Sequence, residues 1–270
     1  MSYYTSISGL KNAQTDLGVI AHNIANTETN GFKKSNASFS DVVARSAMSD
    51  PRKTMGIGAR LQSITQNFSL GSTEQTGSAL DLAINGSGFF ALKAAEDGSM
   101  SYTRNGALEL DRNGYINDGS DNRLQVFAVD ANGAVTSTTP VDALIPATNA
   151  GGAEFVGLTI REDGLVTANY ADSSVNPVGR VALANFASTT GLQQVGSTKW
   201  EATGLSGQPT YGEAGVGMNG SLLSGTLERS NVDIAEELVG LISAQRNFQA
   251  NAKAIDTATR ITETIINLRT

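Results

Sequence analysis

The sequence lacks the residues on which most metal sites and many enzyme active sites depend. Among its 270 residues there is no cysteine and one histidine, His22. Without cysteine, the chain can form neither a disulfide framework nor a thiolate metal site. With one histidine and no G-x-S-x-G motif, it offers no plausible general base for a hydrolytic triad. We therefore expect no enzymatic activity, no cofactor, no metal and no small-molecule substrate.

Long apolar runs and basic clusters are also missing. The first ten residues, MSYYTSISGL, lack the basic start and apolar stretch of a cleaved secretory signal. No run of about 18 apolar residues is present to cross a bilayer. The formal net charge of −7 disfavours a nucleic-acid surface, because phosphate binding needs several Lys or Arg on one face. We expect a cytoplasmic protein, or one that is exported without signal cleavage, and no nucleic-acid partner.

The middle of the chain, residues 71–224, has the pattern of an antiparallel β domain. Four turn dipeptides each provide a glycine for the positive φ that tight hairpins need: Asp97-Gly98, Asn113-Gly114, Asn132-Gly133 and Asp163-Gly164. The alternating runs between them predict strands. These runs are 80–84, 88–92, 124–129, 158–160, 165–168 and 180–186.

The N-terminal region has the spacing of an amphipathic helix. Residues at intervals of three and four form one stripe, and the TETNG run at 27–31 provides a stop, with Gly31 ending the helix. At 1.5 Å per residue this helix is about 35 Å long. The predicted stripe is Ile7, Leu10, Gln14, Leu17, Ala21 and Ile24.

The C-terminal region has the same spacing over about 37 residues. Ser230 or Asn231 is expected to cap the helix, with acidic residues in its first turns. Because a helix this long with a narrow apolar stripe implies a partner helix, the N-terminal stripe is the candidate. The predicted stripe is Ile234, Leu238, Leu241, Gln245, Phe248, Ala252, Ile255, Thr259, Thr262 and Ile266.

These patterns predict an α+β fold in which paired terminal helices form a coiled-coil-like arm beside a central antiparallel all-β domain. Residues 1–30 and 225–270 form the terminal helical core domain, 31–70 a connecting segment, and 71–224 the β domain. Gln14 and Gln245 are expected to meet inside the seam and fix its register.

Two readings of the helical arm remain open at this stage. Burial of the two stripes against each other contributes less free energy than the conformational entropy lost when both helices become ordered. The helix pair would therefore be only marginally stable without further contacts. Either neighbouring copies bury the remaining faces, with ends that are mobile in the monomer, or the helices pack on the β domain as an intramolecular hairpin. The basic segment from Lys33 to Arg60 either faces the acidic β domain of another copy or forms a solvated loop.

Three collinear blocks resemble the bacterial flagellar axial family of rod and hook proteins. SGLKNAQTDLGVIAHNIANTETNGFKK at 8–34 is similar to the family's N-terminal signature. LDLAINGSGFF at 80–90, followed by YTRNG at 102–106, resembles the start of its β domain. GTLERSNVDIAEELVGLISAQRNFQ at 225–249 is similar to its C-terminal signature.

Within the family the chain resembles hook proteins most. Distal rod subunits usually carry an insertion that would fall between Asp41 and Gly56, and ARLQSITQNFSLG at 59–71 and the terminal Asn267-Leu268-Arg269 look hook-like. Hook proteins usually have a further outer β domain, for which 270 residues leave little room. A rod subunit is the near alternative, and a secreted β-rich binding module is the remote one.

The resemblance implies a self-assembling tube whose core is lined by the terminal helices. It implies a homopolymer that contacts the distal rod protein, the hook–filament junction protein and, during assembly, the hook cap. The subunit would be exported unfolded through the flagellar type III apparatus and located in the extracellular hook, or in the basal body if it is a rod protein. The expected subunit-interface residues are Ile7, Leu10, Gln14, Leu17, Ile24, Asn26, Gly31, Phe32, Ile234, Leu238, Leu241, Gln245, Phe248 and Ile255.

Overall fold

The computed structural model describes residues 2–43 and 56–267, with a long helix at each end and strands between them. The helices are α1 (Ser2–Ala25) and α2 (Ile234–Asn267). The strands are β1 (Ser35–Val43), β2 (Gly56–Gln66), β3 (Thr73–Gln75), β4 (Leu82–Asn85), β5 (Phe89–Ala94), β6 (Met100–Thr103), β7 (Glu109–Leu110), β8 (Ile116–Asn117), β9 (Asn122–Val129), β10 (Val135–Asp142), β11 (Phe155–Ile160), β12 (Leu165–Tyr170), β13 (Val175–Val181), β14 (Leu183–Asn185), β15 (Gln193–Gly196), β16 (Lys199–Glu201), β17 (Thr210–Gly212), β18 (Ser221–Ser224) and β19 (Thr226–Glu228). The expected α+β composition, with terminal helices and a large antiparallel β domain, is confirmed.

The chain divides into two compact units. The helical unit consists of the described parts of Met1–Thr27, Lys34–Asn67 and Val232–Thr270, whereas the β unit consists of Glu28–Lys33 and Phe68–Asn231. This division differs in detail from the boundaries read from the sequence. Residues 226–228 belong to the β unit because β19 pairs with β3.

A two-stranded ribbon completes the helical unit. β1 and β2 pair in antiparallel fashion within the segment to which sequence analysis assigned no secondary structure. The ribbon packs on α1, where the amide of Ala59 donates to Ser8 Oγ at 3.4 Å and a side chain at Gly58 would collide with Ser8. Three basic residues of the Lys33–Arg60 segment lie outside the described residues, namely Arg45, Arg52 and Lys53. Leu268 and Arg269 at the C-terminus also lie outside them.

Polar side chains bind the backbone at the C-terminal end of α1 and at the N-terminal end of α2. Asp233 caps α2, since its Oδ1 accepts hydrogen bonds from the amides of Ala235 at 2.8 Å and Glu236 at 3.2 Å. The expectation of a cap at Ser230 or Asn231 was wrong, because Asn231 Nδ2 instead donates to Ser69 in the β unit.

α1 ends six residues before Gly31. Asn26 Nδ2 donates to the carbonyl oxygen of His22 at 2.9 Å, and Thr27 Oγ1 donates to that of Ile24 at 2.8 Å. These bonds occupy carbonyl groups that the last turn of a helix leaves without partners. The helix therefore stops next to the TETNG run at 27–31, as predicted, whereas Gly31 itself lies beyond the helix end.

The β unit is built around a branched antiparallel sheet of thirteen strands. Its main path runs β11-β12-β13-β9-β5-β6-β16-β15, and β18-β4 and β19-β3 pair separately. Each of the six predicted strand runs overlaps an observed strand. The four predicted turn glycines have positive φ angles, of 71°, 85°, 81° and 80° at Gly98, Gly114, Gly133 and Gly164.

Two apolar clusters fill the β unit. The larger one gathers aliphatic side chains from most of the sheet, including Leu82, Leu92 and Leu124. The smaller one is aromatic: Trp200 is 1% exposed and lies edge-on to both Phe68 and Phe89, with ring centroids 5.3 and 5.9 Å away. The only tryptophan therefore stabilises the core of this unit and is not part of an exposed aromatic groove.

A buried ion cluster holds Glu28–Lys33 to the rest of the β unit. Lys33 Nζ pairs with Glu228 and also donates to the carbonyl oxygen of Ser69 at 2.7 Å. Arg104 Nη1 lies 3.6 Å from the other carboxylate oxygen of Glu228, and Arg104, Lys33 and Glu228 are all at most 3% exposed. Burial lowers the pKa of Lys33, although the charge of Glu228 opposes that shift.

The same contact accounts for the glycine at 31. Gly31 has φ +69°, its amide donates to the carbonyl oxygen of Glu228 at 2.8 Å, and a Cβ there would lie 2.4 Å from the amide nitrogen of Asn105. Only glycine fits both this φ and this close approach. Lys33, which we considered part of a basic surface or a solvated loop, is instead an internal partner of Glu228.

Replacing Glu228 should destabilise the β unit strongly. Glu228→Gln keeps the side-chain volume but leaves Lys33 and Arg104 buried without a counter-charge, a loss of about 3–5 kcal/mol in the free energy of unfolding. Urea unfolding followed by Trp200 fluorescence measures it. In the matched control Glu74→Gln, Glu74 is 57% exposed and pairs with Arg229 at 3.0 Å, so a loss below about 1 kcal/mol is expected. Similar small losses in both variants would contradict the buried cluster's role.

Candidate assembly surface

The two terminal helices lie side by side and run in opposite directions. A side chain at Gly9 would lie 2.5 Å from Asn251 Oδ1, so the helix backbones approach closely there. Ile20 packs against Gly240, and Asn23 Nδ2 donates to Glu237 Oε2 at 3.2 Å. From Gly9 to Asn23, each step along α1 is matched by an equal step backward along α2, which defines an antiparallel pair.

Small and polar residues occupy the buried centre of this pair. Ala13 and Ala244 are 7% and 1% exposed, and their short side chains allow the helices to pack closely. Asn23 and Glu237 are only 1% and 3% exposed, although both are polar. Because buried polar groups need partners, the contacts of these two residues decide whether the seam is stable.

Asn23 and Glu237 form a polar cluster that joins α1, α2 and the ribbon. Asn23 Nδ2 also donates to the carbonyl oxygen of Ser35, and Asn23 Oδ1 accepts from the Ser35 amide, both at 2.9 Å. Lys34 Nζ lies 2.8 Å from Glu237 Oε1. Partial burial, and to a lesser extent the charge of Glu237, raises the pKa of the neighbouring Asp16 carboxyl.

The predicted interface residues fall into three groups. One group is half-buried in the helical unit, a second is exposed there, and a third is buried in the β unit. The half-buried residues are Ile7, Leu10, Leu17, Ile24, Asn26, Leu241, Phe248 and Ile255. The exposed residues are Gln14, Ile234, Leu238 and Gln245, and the residues buried in the β unit are Gly31 and Phe32.

The seam of α1 is displaced by about one position from the stripe read from the sequence. Its most buried residues are Ala13, Ile20 and Asn23, each one position before the predicted Gln14, Ala21 and Ile24. The displacement arises because α1 buries two faces, one against α2 and one against the unpredicted ribbon. The polar pair expected at Gln14 and Gln245 is exposed, whereas Asn23 and Glu237 form the polar pair inside the seam.

Part of α2 carries apolar side chains that the monomer leaves uncovered. Ile234, Leu238 and Ile242 recur every four residues along one side of the helix and are 47%, 46% and 50% exposed. Toward the other end, Ile261, Ile265 and Ile266 are 56–61% exposed. The antiparallel register places the first described residue of α1 near residue 258 of α2, so these three isoleucines lie beyond the paired region.

The described residues contain no group of three or more His, Asp or Glu side chains arranged to hold a metal ion. Within the same residues, no helix has the length and apolar character needed to cross a membrane. Asp111 and Asp118 form turns: Asp111 Oδ1 accepts hydrogen bonds from the amides of Asn113 and Tyr115, and Asp118 Oδ1 accepts them from the amides of Ser120 and Asn122.

Three family profiles match the chain in the order of its elements. Residues 4–33 match the family described as "Flagella basal body rod protein", and residues 83–168 match "Flagellar hook protein FlgE/F/G D1 domain". Residues 223–268 match "Flagellar basal body rod FlgEFG protein C-terminal". The first and third matches cover α1 and α2, whereas the second covers much of the sheet.

Similar proteins carry hook and rod names. The chain is 35% identical to the flagellar basal-body rod protein FlgG of Bacillus subtilis over 279 residues, covering 99% of this chain and 98% of that protein. It is 31% identical to FlgG of Buchnera aphidicola subsp. Schizaphis graminum, covering 99% of both chains. It is 29% identical to the flagellar hook protein FlgE of Escherichia coli over 410 residues, covering 100% of both chains.

The fold, the terminal helices and these matches define a structural protein of the bacterial flagellum. More narrowly, the chain belongs to the flagellar hook and basal-body rod family of FlgE, FlgF and FlgG, as the resemblance in its three sequence blocks indicated.

Removal of the Asn23 amide should destabilise the helical unit. Asn23→Leu keeps a similar volume but removes three buried hydrogen bonds, for an expected loss of about 1–3 kcal/mol in the free energy of unfolding. Thermal unfolding followed by far-UV circular dichroism measures the change. The control Gln14→Leu alters an exposed position of the same helix and should stay within about 0.5 kcal/mol of the parent. Equal effects of the two substitutions would show that the polar cluster is unimportant.

Proposed function

We propose that this chain is the structural subunit of a flagellar hook, which self-assembles into a helical tube that couples rod to filament and transmits torque as a flexible joint. The exposed apolar row on α2, Ile234, Leu238 and Ile242, carries the proposal. A soluble monomer rarely leaves such a row uncovered on a long helix, and contiguous exposed apolar surface marks interaction sites.

Burial of this row would contribute a modest free energy to each contact between subunits. Full burial of one large aliphatic side chain contributes about 1.5–3 kcal/mol, so covering three half-exposed ones contributes about 2–4 kcal/mol per contact. A contact of that strength is weak for one pair of molecules. In a tube it is repeated for every subunit, so the polymer is stable while single contacts can yield as the tube bends.

In this proposal the two units have different mechanical roles. The paired terminal helices form a coiled-coil-like arm and line the core of the tube, where they provide continuity along its axis. The segment 31–70 connects this arm to the β domain of 71–224. The β domains contact their neighbours sideways, through contacts that shift during bending.

Hook identity is supported by similarity over the full length of hook proteins. The 29% identity to FlgE of Escherichia coli covers all of both chains, and a 29% identity to FlgE of Salmonella typhimurium does the same. In addition, only about 14 residues separate Asp41 from Gly56. Distal rod subunits of the flagellar axial family usually carry an insertion between the positions of these two residues.

A rod subunit is the second candidate, and the lengths of the relatives favour it. The match to FlgG of Bacillus subtilis spans 279 aligned residues, close to the 270 of this chain, whereas the match to FlgE of Escherichia coli spans 410. The hook match therefore includes long stretches that this chain lacks. In a rod the same helical contacts would have to be stiff.

The proposed partners and location follow from this function. The subunit would contact copies of itself, the distal rod protein and the hook–filament junction protein, with a hook cap present during assembly. It would be exported through the flagellar type III apparatus without signal cleavage and reside in the extracellular hook, or in the basal body as a rod subunit. As a structural subunit it would have no enzymatic activity.

Electron microscopy of assemblies grown from the purified full chain discriminates these functions. Curved tubes are expected for a hook subunit, because its lateral contacts must accommodate bending. Straight tubes would favour the rod, and no ordered assembly at any concentration would contradict both. In cells, a strain that lacks the gene for this chain should still build a complete rod but no hook if the chain is a hook subunit.

A substitution within the exposed α2 row tests the role of that row in the same assembly assay. Leu238→Glu should prevent tube formation while leaving the fluorescence and unfolding of the β unit unchanged. The matched variant Val175→Glu places the same charge at an exposed apolar position of β13, where the side chain is 59% exposed. It should assemble like the parent chain.

A further inference from the structure

We propose that the outer face of the β1–β2 ribbon of one copy docks on the Ile234–Leu238–Ile242 row of α2 in a second copy. This inference rests on the self-assembly proposed above and names the two surfaces that meet. The ribbon's outer face is defined here by Phe39, Asp41, Leu61 and Ile64.

The register of the ribbon determines which side chains face outward. Gly58 lies against Ser8 of α1, so its cross-strand partner Val42 shares that inner face. Side chains alternate along a strand, so Phe39 and Asp41 belong to the opposite face. Phe39 is paired with Leu61, and Ala37 with Ile64. A register shift between these two pairs leaves Gln62 as an extra residue on β2, so Leu61 and Ile64 share the outer face although they are three residues apart.

The outer face is apolar and open in the monomer. Phe39, Leu61 and Ile64 are 38%, 39% and 44% exposed. A two-stranded ribbon is marginally stable in water unless its faces are packed, and α1 covers only the inner one. A second covering surface would therefore stabilise the ribbon as well as the contact.

The helix row and the ribbon face match in length. Ile234 and Ile242 are eight residues apart, which is about 12 Å along a helix. On the ribbon, Asp41 and Ala37, the cross-strand partner of Ile64, are four residues apart on β1, which is about 13 Å. An aliphatic row on a helix packed across a flat ribbon face is an ordinary way to exclude water from both.

Charges at one end of each surface are complementary. Continuing the row by four residues beyond Ile242 leads to Arg246, and continuing the ribbon face by two residues beyond Phe39 leads to Asp41. Both side chains are exposed, and neither forms an ion pair with another described residue. With the apolar residues aligned, Asp41 of one copy and Arg246 of the next lie at the same end of the contact.

The contact is heterologous, because it joins two different surfaces of the same chain. The growing assembly then offers one free ribbon at one end and one free helix row at the other after every addition. Such contacts produce rings or open helical assemblies, whereas a contact between two identical surfaces stops at a dimer. A tube requires the heterologous kind.

The absence of cysteine allows a clean cross-linking test in the full chain. Leu61→Cys and Leu238→Cys are introduced together, and assemblies are treated with a short bis-maleimide before denaturing electrophoresis. A ladder of covalent oligomers is expected from the double variant, and no product above monomer from either single variant. The control pair Val156→Cys with Leu238→Cys, in which Val156 is 70% exposed, should give no ladder.

The alternatives give different products. Covalent dimers from Leu238→Cys alone would mean that two α2 rows pack together, which overturns the proposed contact. Tubes that form normally but give no ladder above the control pair would overturn the contact and leave self-assembly intact. Failure of the parent chain to form tubes under the same conditions would overturn both proposals.

A charge exchange tests the register of the same contact. Asp41→Arg and Arg246→Asp should each lower the ladder yield about fivefold, since each places like charges together. The two substitutions combined in one chain should restore the yield. No restoration in the combined variant would contradict the predicted alignment of Asp41 with Arg246.

Discussion

The helical unit depends on one polar contact between the two ends of the chain, that of Asn23 on α1 with Glu237 on α2. Asn23 also binds both backbone polar groups of Ser35, so the same residue fixes where the ribbon leaves α1. A buried carboxylate is costly unless it is paired, and Lys34 supplies the counter-charge. The antiparallel register and the ribbon position therefore follow from a single buried cluster.

The two units are stabilised in different ways, as expected for a subunit that assembles into a polymer. The β unit has an aliphatic and an aromatic core of its own, together with the buried Lys33–Glu228–Arg104 cluster. The helical unit leaves apolar rows uncovered on α2 and on the ribbon. One unit is complete within a single copy, whereas the other is completed by its neighbours in the assembly that we propose.

Sequence patterns predicted the elements of the fold better than their packing. The turn glycines and the alternation of strands are local signals, so the β domain and both helices were found from the sequence. The ribbon was missed because its strands mix apolar, basic and small residues without clear alternation. Since α1 packs on that ribbon as well as on α2, its seam lies on Ala13, Ile20 and Asn23 and not on the predicted stripe.

The buried polar residues could not be assigned from spacing alone. Nothing local distinguishes Asn23 and Glu237 from the exposed Gln14 and Gln245, because their roles depend on partners far away in the sequence. The same holds for Lys33. In the sequence it is one of several basic residues, and its burial follows only from its ion pair with Glu228 in the folded chain. The exposed row of α2, by contrast, lies partly on residues that the heptad pattern selected, namely Ile234 and Leu238.

Amide hydrogen exchange, compared between dilute monomer and assembled tubes, tests the central claim most directly. If neighbouring copies complete the helical unit, protection in α1, α2 and the ribbon should rise by orders of magnitude on assembly. Protection in the core strands of the β unit should change little. Helices that are already as strongly protected in the monomer as in the tube would contradict the account.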